Sequence, residues 1–201
     1  HPLFERWGWY AFYNGFIALY LTTPKEDGAL GFSNVEKGTI MGTASMILYF
    51  LPVITGAVAD RVGYKKVLIT SFITYVAAFF MLSRFETFGS IFGAFILLAV
   101  AGALFKPLIS GTVARVTDKQ TASLGFGIFY MVVNIGGFIG PFVASLLYKN
   151  NWNTVFYMSI AAMTLNLLLT VLFYKEPAVT GSGNSFIKNI GIAFRNIGVT
   201  L

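Results

Sequence analysis

Long apolar runs, broken at intervals by Gly, Pro and charge, divide the chain into stretches near residues 4–22, 36–59, 66–83, 89–115, 122–148 and 153–174. Each is close to the length a helix needs to cross a bilayer, so the pattern predicts about six transmembrane helices. The connection T-P-K-E-D-G-A-L-G-F-S-N-V-E-K, residues 23–37, is polar and rich in turn formers, and Ser33 or Asn34 is placed to cap the second helix. Beyond Lys175 the apolar character stops, and A-V-T-G-S-G-N-S reads as a flexible linker. The following F-I-K-N-I-G-I-A-F-R-N-I sets Phe186, Ile187, Ile190, Phe194 and Ile197 at helical spacing, with Lys188, Asn189, Arg195 and Asn196 largely opposite. That pattern fits an amphipathic helix on the membrane surface, or else the approach to a seventh span.

Composition agrees with this reading. Of 201 residues, 56% are hydrophobic and 11% charged, against about 25% charged in a soluble domain. The fold class is therefore an all-α membrane protein. The net charge of +6 is scattered over short loops without a basic stripe or aromatic recognition motif, which excludes nucleic acid as a partner and leaves membrane lipids. Arg61, Lys65, Lys66, Arg115, Lys119, Lys175, Lys188 and Arg195 fall in one set of loops, and Lys25, Lys37, Arg84 and Lys149 in the other. The richer set should be cytoplasmic, which puts both ends of the chain on that side of a cell membrane, inner or plasma. The first run carries Glu5 and Arg6 and lacks a small-residue cleavage site, so it is not a secretory leader. Cysteine is absent and His1 is the single histidine, so thiolate metal sites are excluded and enzyme chemistry has little to work with.

Lys106 stands out. It lies inside the apolar run I-L-L-A-V-A-G-A-L-F-K-P-L-I, residues 96–109, where an ammonium costs about 2.5–3.5 kcal/mol on insertion scales and so marks a functional position. Pro107 follows it and removes a backbone donor, which can bend the helix. Glu5, beside Arg6 in the first span, is the natural ionic partner. Arg6, Tyr10 and Tyr13 share one helix face, with Glu5 adjacent. Plainer readings exist for several of these residues. Arg6 could snorkel to headgroups, Trp7, Trp9 and Tyr10 could belong to an interfacial belt, and Asn134 could hydrogen-bond between helices. Gly125, Gly127, Gly136, Gly137 and Gly140 read as packing residues that let helices approach closely. Between the second and third spans, G-A-V-A-D-R-V-G-Y-K-K joins Asp60, able to meet a cation or a helix N-terminus, to Gly63, which permits a tight turn.

That last string, with Gly56, Asp60, Arg61, Gly63, Lys65 and Lys66, resembles the loop signature of the major facilitator superfamily, G-x-x-x-D-R-x-G-[RK]-[RK]. Three further strings resemble its proton-dependent oligopeptide transporter family. F-E-R-W-G-W-Y matches the second part of E-x-x-E-R-F-x-Y-Y-G, with Glu5 and Arg6 on its Glu-Arg pair, Trp7 on the Phe, and Trp9 and Tyr10 on the two aromatics. G-A-L-F-K-P matches G-x-x-x-K-P, with Lys106 as the coupling lysine, and F-G-I-F-Y-M-V-V-N-I-G-G-F fits the fifth-helix signature with Asn134 as its asparagine. Tyr49 falls where the family places a substrate-facing tyrosine. The chain departs from the pattern at Pro2, which occupies the first acidic position, and in D-R-V-G, one residue shorter than the common D-R-x-x-G.

The resemblance implies that residues 1–175 form the N-terminal six-helix bundle of a transporter that rocks two such halves about a midplane site. Residues 176–201 would be a cytoplasmic linker and amphipathic helix leading to a missing C-terminal half, itself a partner of this bundle. It implies proton-coupled uptake of di- and tripeptides by alternating access, with protons as the coupling ion and no other cofactor or metal. Glu5, Arg6 and Lys106 would couple protons, and Arg6, Trp9, Tyr10, Tyr13, Tyr49, Lys106 and Asn134 would bind substrate. The 56–66 loop would gate the conformational change. On this expectation, protonation of Glu5 loosens its ion pairs and frees Arg6 and Lys106 for a substrate carboxylate. Pro2 instead favours a facilitator carrier or exporter of another small solute, such as an organic anion, nucleoside, sugar or drug. A non-transporting sensor or scaffold would have little need of costly membrane charges.

Overall fold

The computed structural model describes residues 16–118, 120–147 and 151–176. Glu5, Arg6, Trp9, Tyr10 and Tyr13, and the amphipathic stretch 186–197, lie outside the described residues. Regular structure among the described residues is helical throughout: α1 Ala18–Thr22, a 3-10 turn Lys25–Asp27, α2 Asn34–Phe50, α3 Pro52–Val62, α4 Tyr64–Arg84, α5 Phe88–Val116, α6 Ala122–Leu147 and α7 Trp152–Phe173. Helices α4 to α7 are each long and apolar enough to cross a membrane, and α2 with α3 makes a fifth such span, bent by 47° at its break.

The break differs from the single second span that hydropathy suggests. Pro52 opens α3 at a position where a helix tolerates its missing N–H, and the same missing donor stops α2 at Phe50 from running on. Other ends follow side-chain capping. Ser33 caps α2 by accepting from the Glu36 amide at 3.2 Å while the Glu36 carboxylate accepts from the Ser33 amide at 2.9 Å, so the cap is Ser33 and not Asn34. Thr87 and Asn151 cap α5 and α7 by side-chain acceptance alone, from the amides of Ser90 and Asn153.

Helices α4 and α5 pack most extensively together, α4 also lies along α7, and α2 and α3 rest on α5. Two buried apolar clusters result. One, at the Trp152 end, joins Tyr20, Leu21, Leu30, Ile40, Leu82, Ile91, Phe95 and Phe156. There the Trp152 indole donates to the Asp27 carbonyl at 3.0 Å and fastens the 23–33 connection to α7. The other, at the Gly63 end, joins Ala59, Tyr64, Val67, Leu68, Phe72 and Leu108.

Close helix approach runs through α5, where a Cβ on Gly102 would lie 2.7 Å from Leu48 Cδ1 and one on Gly111 2.7 Å from the Tyr64 hydroxyl oxygen. The fifth-span glycines behave differently from expectation. Among the described residues a Cβ at Gly127, Gly136 or Gly140 would meet nothing within 4 Å, whereas Gly125 makes a close approach, to Thr117. Helix α6 turns most of its large apolar side chains outward, Leu124, Val132, Phe138 and Phe142 among them. Among the described residues it therefore has few neighbours for its glycines to admit.

Candidate functional site

Two groups of polar side chains are assembled by this packing. The first surrounds Lys106. Its ammonium sits 5.1 Å from the centroid of the Tyr49 ring, a cation–π distance, and both residues are exposed on neighbouring faces of α5 and α2. The structure thus brings together two residues that the sequence places 57 positions apart (106 − 49). Asn134 is on α6, in an open recess with Tyr130, Met131 and Phe138. All the described residues lining that recess come from α6, which makes it an open helix face.

The backbone beneath Lys106 is reorganised by Pro107, which lies inside α5. Without an N–H, Pro107 leaves the Ala103 carbonyl lacking its helical donor. The Thr55 hydroxyl on α3 donates to that carbonyl at 2.6 Å, and Thr55 is buried. The next residue of α3 is in contact as well: a Cβ on Gly56 would lie 3.5 Å from Pro107 Cβ, an ordinary contact distance. A second buried hydroxyl, Ser71 on α4, donates to the Ala101 carbonyl at 2.8 Å.

The second group is built at the turn between α3 and α4. Gly63 has φ 102°, a backbone region that L side chains seldom adopt, and this lets the chain reverse within one residue. Asp60 on α3 pairs with Arg115 at the end of α5 at 2.8 Å, and the Arg115 guanidinium lies 4.3 Å from the centroid of the Tyr64 ring. The Tyr64 hydroxyl donates to the same Asp60 oxygen at 3.1 Å. Asp60 therefore takes a cation as partner, and the helix N-terminus that could have been its alternative is filled by another acid. Glu176 accepts from the backbone amides of Tyr64 and Lys65, with one carboxylate oxygen on each. In return the Lys65 ammonium donates to the Val171 carbonyl in the last turn of α7 at 2.9 Å. Negative charge at the start of α4 and positive charge at the end of α7 each oppose the local helix dipole. Tyr174 adds a hydroxyl contact to Thr112 at 2.8 Å. Lys66 is exposed, and Arg61 also lies on the exposed side of this turn.

Sequence reasoning overlooked Glu176, Arg115, Tyr64 and Thr55 as site residues. Glu176 carried a weak signal as an acid directly after the last span. Arg115 entered only as a topological charge. For Thr55 the signal was indirect, since Pro107 announces a carbonyl in need of a donor without saying which helix supplies it.

Comparison with known proteins places this geometry in a family. The profile of the Major Facilitator Superfamily matches residues 6–199. An uncharacterized transporter of Bacillus subtilis, YclF, is 27% identical over 199 residues, covering 96% of this chain and 38% of the relative. Dipeptide and tripeptide permease A of Pectobacterium carotovorum is 28% identical over 189 residues, covering 92% of this chain and 36% of the permease. The chain thus spans well under half the length of these relatives. A crystal structure of the peptide transporter POT in complex with sulfate superposes with a TM-score of 0.74 at 24% identity, over 98% of this chain and 42% of that one. The chain belongs to the Major Facilitator Superfamily of multi-pass integral membrane transporters, and its similarity within that superfamily runs to the peptide transporters.

Proposed function

We propose that this bundle is the N-terminal half of a proton-coupled symporter that takes up di- and tripeptides by alternating access. The observation that carries the reading is the exposed Lys106 ammonium held over Tyr49, in a chain whose relatives are dipeptide and tripeptide permeases. A cation beside an aromatic ring, at membrane depth and on an open face, suits a peptide carboxylate and its flanking apolar atoms. Glu5 and Arg6 complete the proton-coupling group, Trp9, Tyr10, Tyr13 and Asn134 supply further substrate contacts, and the C-terminal half supplies the facing wall. The coupling ion is the proton, with no metal or organic cofactor. The Gly63 end faces the cytoplasm of a cell membrane, and Gly56, Asp60, Arg61, Gly63, Lys65 and Lys66 form the loop that gates rocking of the two halves.

The test is reconstitution of the full-length protein with an imposed inward proton gradient, comparing di- and tripeptides with sugars and free amino acids. Gradient-dependent peptide uptake is expected; uptake indifferent to the gradient, or none, overturns the reading. Pro2, in place of an acid, favours a second reading in which a different small solute is carried. Competition of labelled dipeptide uptake by unlabelled organic anions, nucleosides and sugars separates the two.

A further inference from the structure

The hydrogen bond from Thr55 to the Ala103 carbonyl has a partner that is chemically determined. In an α-helix the carbonyl of residue 103 belongs to the N–H of residue 107, and residue 107 is proline. A carbonyl left unpaired in a dry interior is costly. The Thr55 hydroxyl has two acceptors in reach, Pro52 at 3.4 Å within its own helix and Ala103 at 2.6 Å across the interface, and the shorter bond takes the proton. Gly56, the next residue, lies against the Pro107 ring, so α3 meets this turn of α5 through two consecutive positions. Lys106 is the residue immediately before that ring, and its ammonium lies over Tyr49. Farther along α3, Asp60 is tied to Arg115 of the same α5. Helix α3 therefore grips α5 at the Lys106–Pro107 step and again at the Gly63 end, about 7 Å apart along α3 at 1.5 Å per residue.

We propose that Thr55 is a positioning residue for Lys106: its hydroxyl takes the donor place that Pro107 vacates, and so fixes the turn of α5 from which the Lys106 ammonium reaches over Tyr49. Through α3 the same bond links the setting of Lys106 to the turn at Gly63. This role rests on the proposed coupling function of Lys106, but the bond itself can be tested apart from transport.

The experiment is a mutant cycle in the full-length protein with Thr55→Val, Thr55→Ser, Pro107→Ala and the pair Thr55→Val with Pro107→Ala. Thr55→Val keeps the shape and removes the donor, Thr55→Ser keeps the donor, and Pro107→Ala returns a backbone N–H to the Ala103 carbonyl. Thermal melting of purified protein should show Thr55→Val lowering the midpoint in the native background and having little effect in the Pro107→Ala background. Equal effects in both backgrounds, or none in either, overturn the assignment of the bond. In proteoliposomes, Thr55→Val should reduce gradient-driven peptide uptake roughly tenfold relative to counterflow, with Thr55→Ser restoring the ratio. Driven uptake and counterflow falling together would reduce Thr55 to a stabilising contact and overturn the positioning role. Absence of gradient-driven peptide uptake by the unaltered protein would instead fail the transport reading, while the melting cycle still decides the bond.

Discussion

A carboxylate that accepts two consecutive backbone amides at the start of a helix does more than close a turn. Glu176 lies 113 residues from Gly63 (176 − 63), yet a Cβ placed on Gly63 would come within 3.4 Å of its carboxylate oxygen. Positive φ demands glycine at that position, and the carboxylate packs against it at contact distance. Glu176→Gln keeps the size of the side chain but removes the charge facing the N-terminus of α4, so it should cost about 0.5–1 kcal/mol, read as a lowered melting midpoint. A midpoint unchanged at low ionic strength would contradict the charge–dipole account. Lys106→Ala belongs to the same scale. It should abolish gradient-driven uptake and leave counterflow in place, because it removes the proposed coupling cation without touching the Thr55 bond to the backbone. Driven uptake at the unaltered rate would leave Lys106 without a coupling role.

At the scale of the helix, α5 is the organising element, and its small residues decide how closely its neighbours lie. Gly102 and Gly111 both sit where a Cβ would be crowded, but the crowding atoms differ. At Gly102 a Leu48 terminal methyl stands nearest, and it can rotate away; at Gly111 the Tyr64 ring is held by its bond to Asp60 and by Arg115 over its face. Gly111→Ala should therefore be the more costly of the two alanine variants, at roughly 1–3 kcal/mol, measurable by comparing the melting of both. The start of α6 offers a pH-dependent counterpart outside the spans. Asp118 accepts from the Thr121 hydroxyl at 2.8 Å and from the amides of Thr121 and Gln120, and these bonds hold its carboxyl below the ordinary aspartate range. A depressed native pKa gives stability that is present above the unfolded value and is lost as pH falls through the native one. Asp118→Asn should accordingly melt below the native protein near neutrality, and the difference should shrink as pH is taken below the ordinary aspartate value. A difference that stays constant with pH would rule out the linkage.

The element boundaries were largely legible from hydropathy. The expected spans 66–83, 89–115, 122–148 and 153–174 correspond to α4, α5, α6 and α7 within a few residues, because length and apolarity alone mark where a chain can cross a bilayer. The break at Pro52 was hidden by the continuous apolar run around it. Which face of each helix meets which neighbour was not legible at all. Lipid is as apolar as a helix–helix interface, so outward Phe138 and inward Phe95 look alike in the sequence. That is why Lys106 could be singled out by its cost, whereas Thr55, a hydroxyl of no local distinction, needed the packing to be found. Asn134 shows the opposite case: recognisable by motif, it has its immediate neighbours on its own helix among the described residues.

For the whole molecule, the bundle has two chemically different ends. Asp60, Arg115, Lys65 and Glu176 meet at one. At the other, the 23–28 connection is joined to α7 through Trp152 and Asp27, close to where the Tyr20 hydroxyl reaches the Leu82 carbonyl. Arg61, Lys65, Lys66, Arg115 and Lys175 belong to the first end, and Lys25, Lys37 and Arg84 to the second. On the proposed orientation, in which Lys and Arg are retained on the cytoplasmic side, the Gly63 end is the inner one. The absence of cysteine from these 201 residues allows a direct test in full-length protein whose remaining cysteines, if any, are replaced. Lys25→Cys and Lys66→Cys place a single thiol at either end on exposed side chains. In intact cells a membrane-impermeant maleimide should label the first and spare the second, and in inverted vesicles the preference should reverse. The opposite pattern would turn the bundle over. It would also place the Asp60–Arg115 pair and the Glu176 contact on the outer face, where a gate for inward release of substrate could not be.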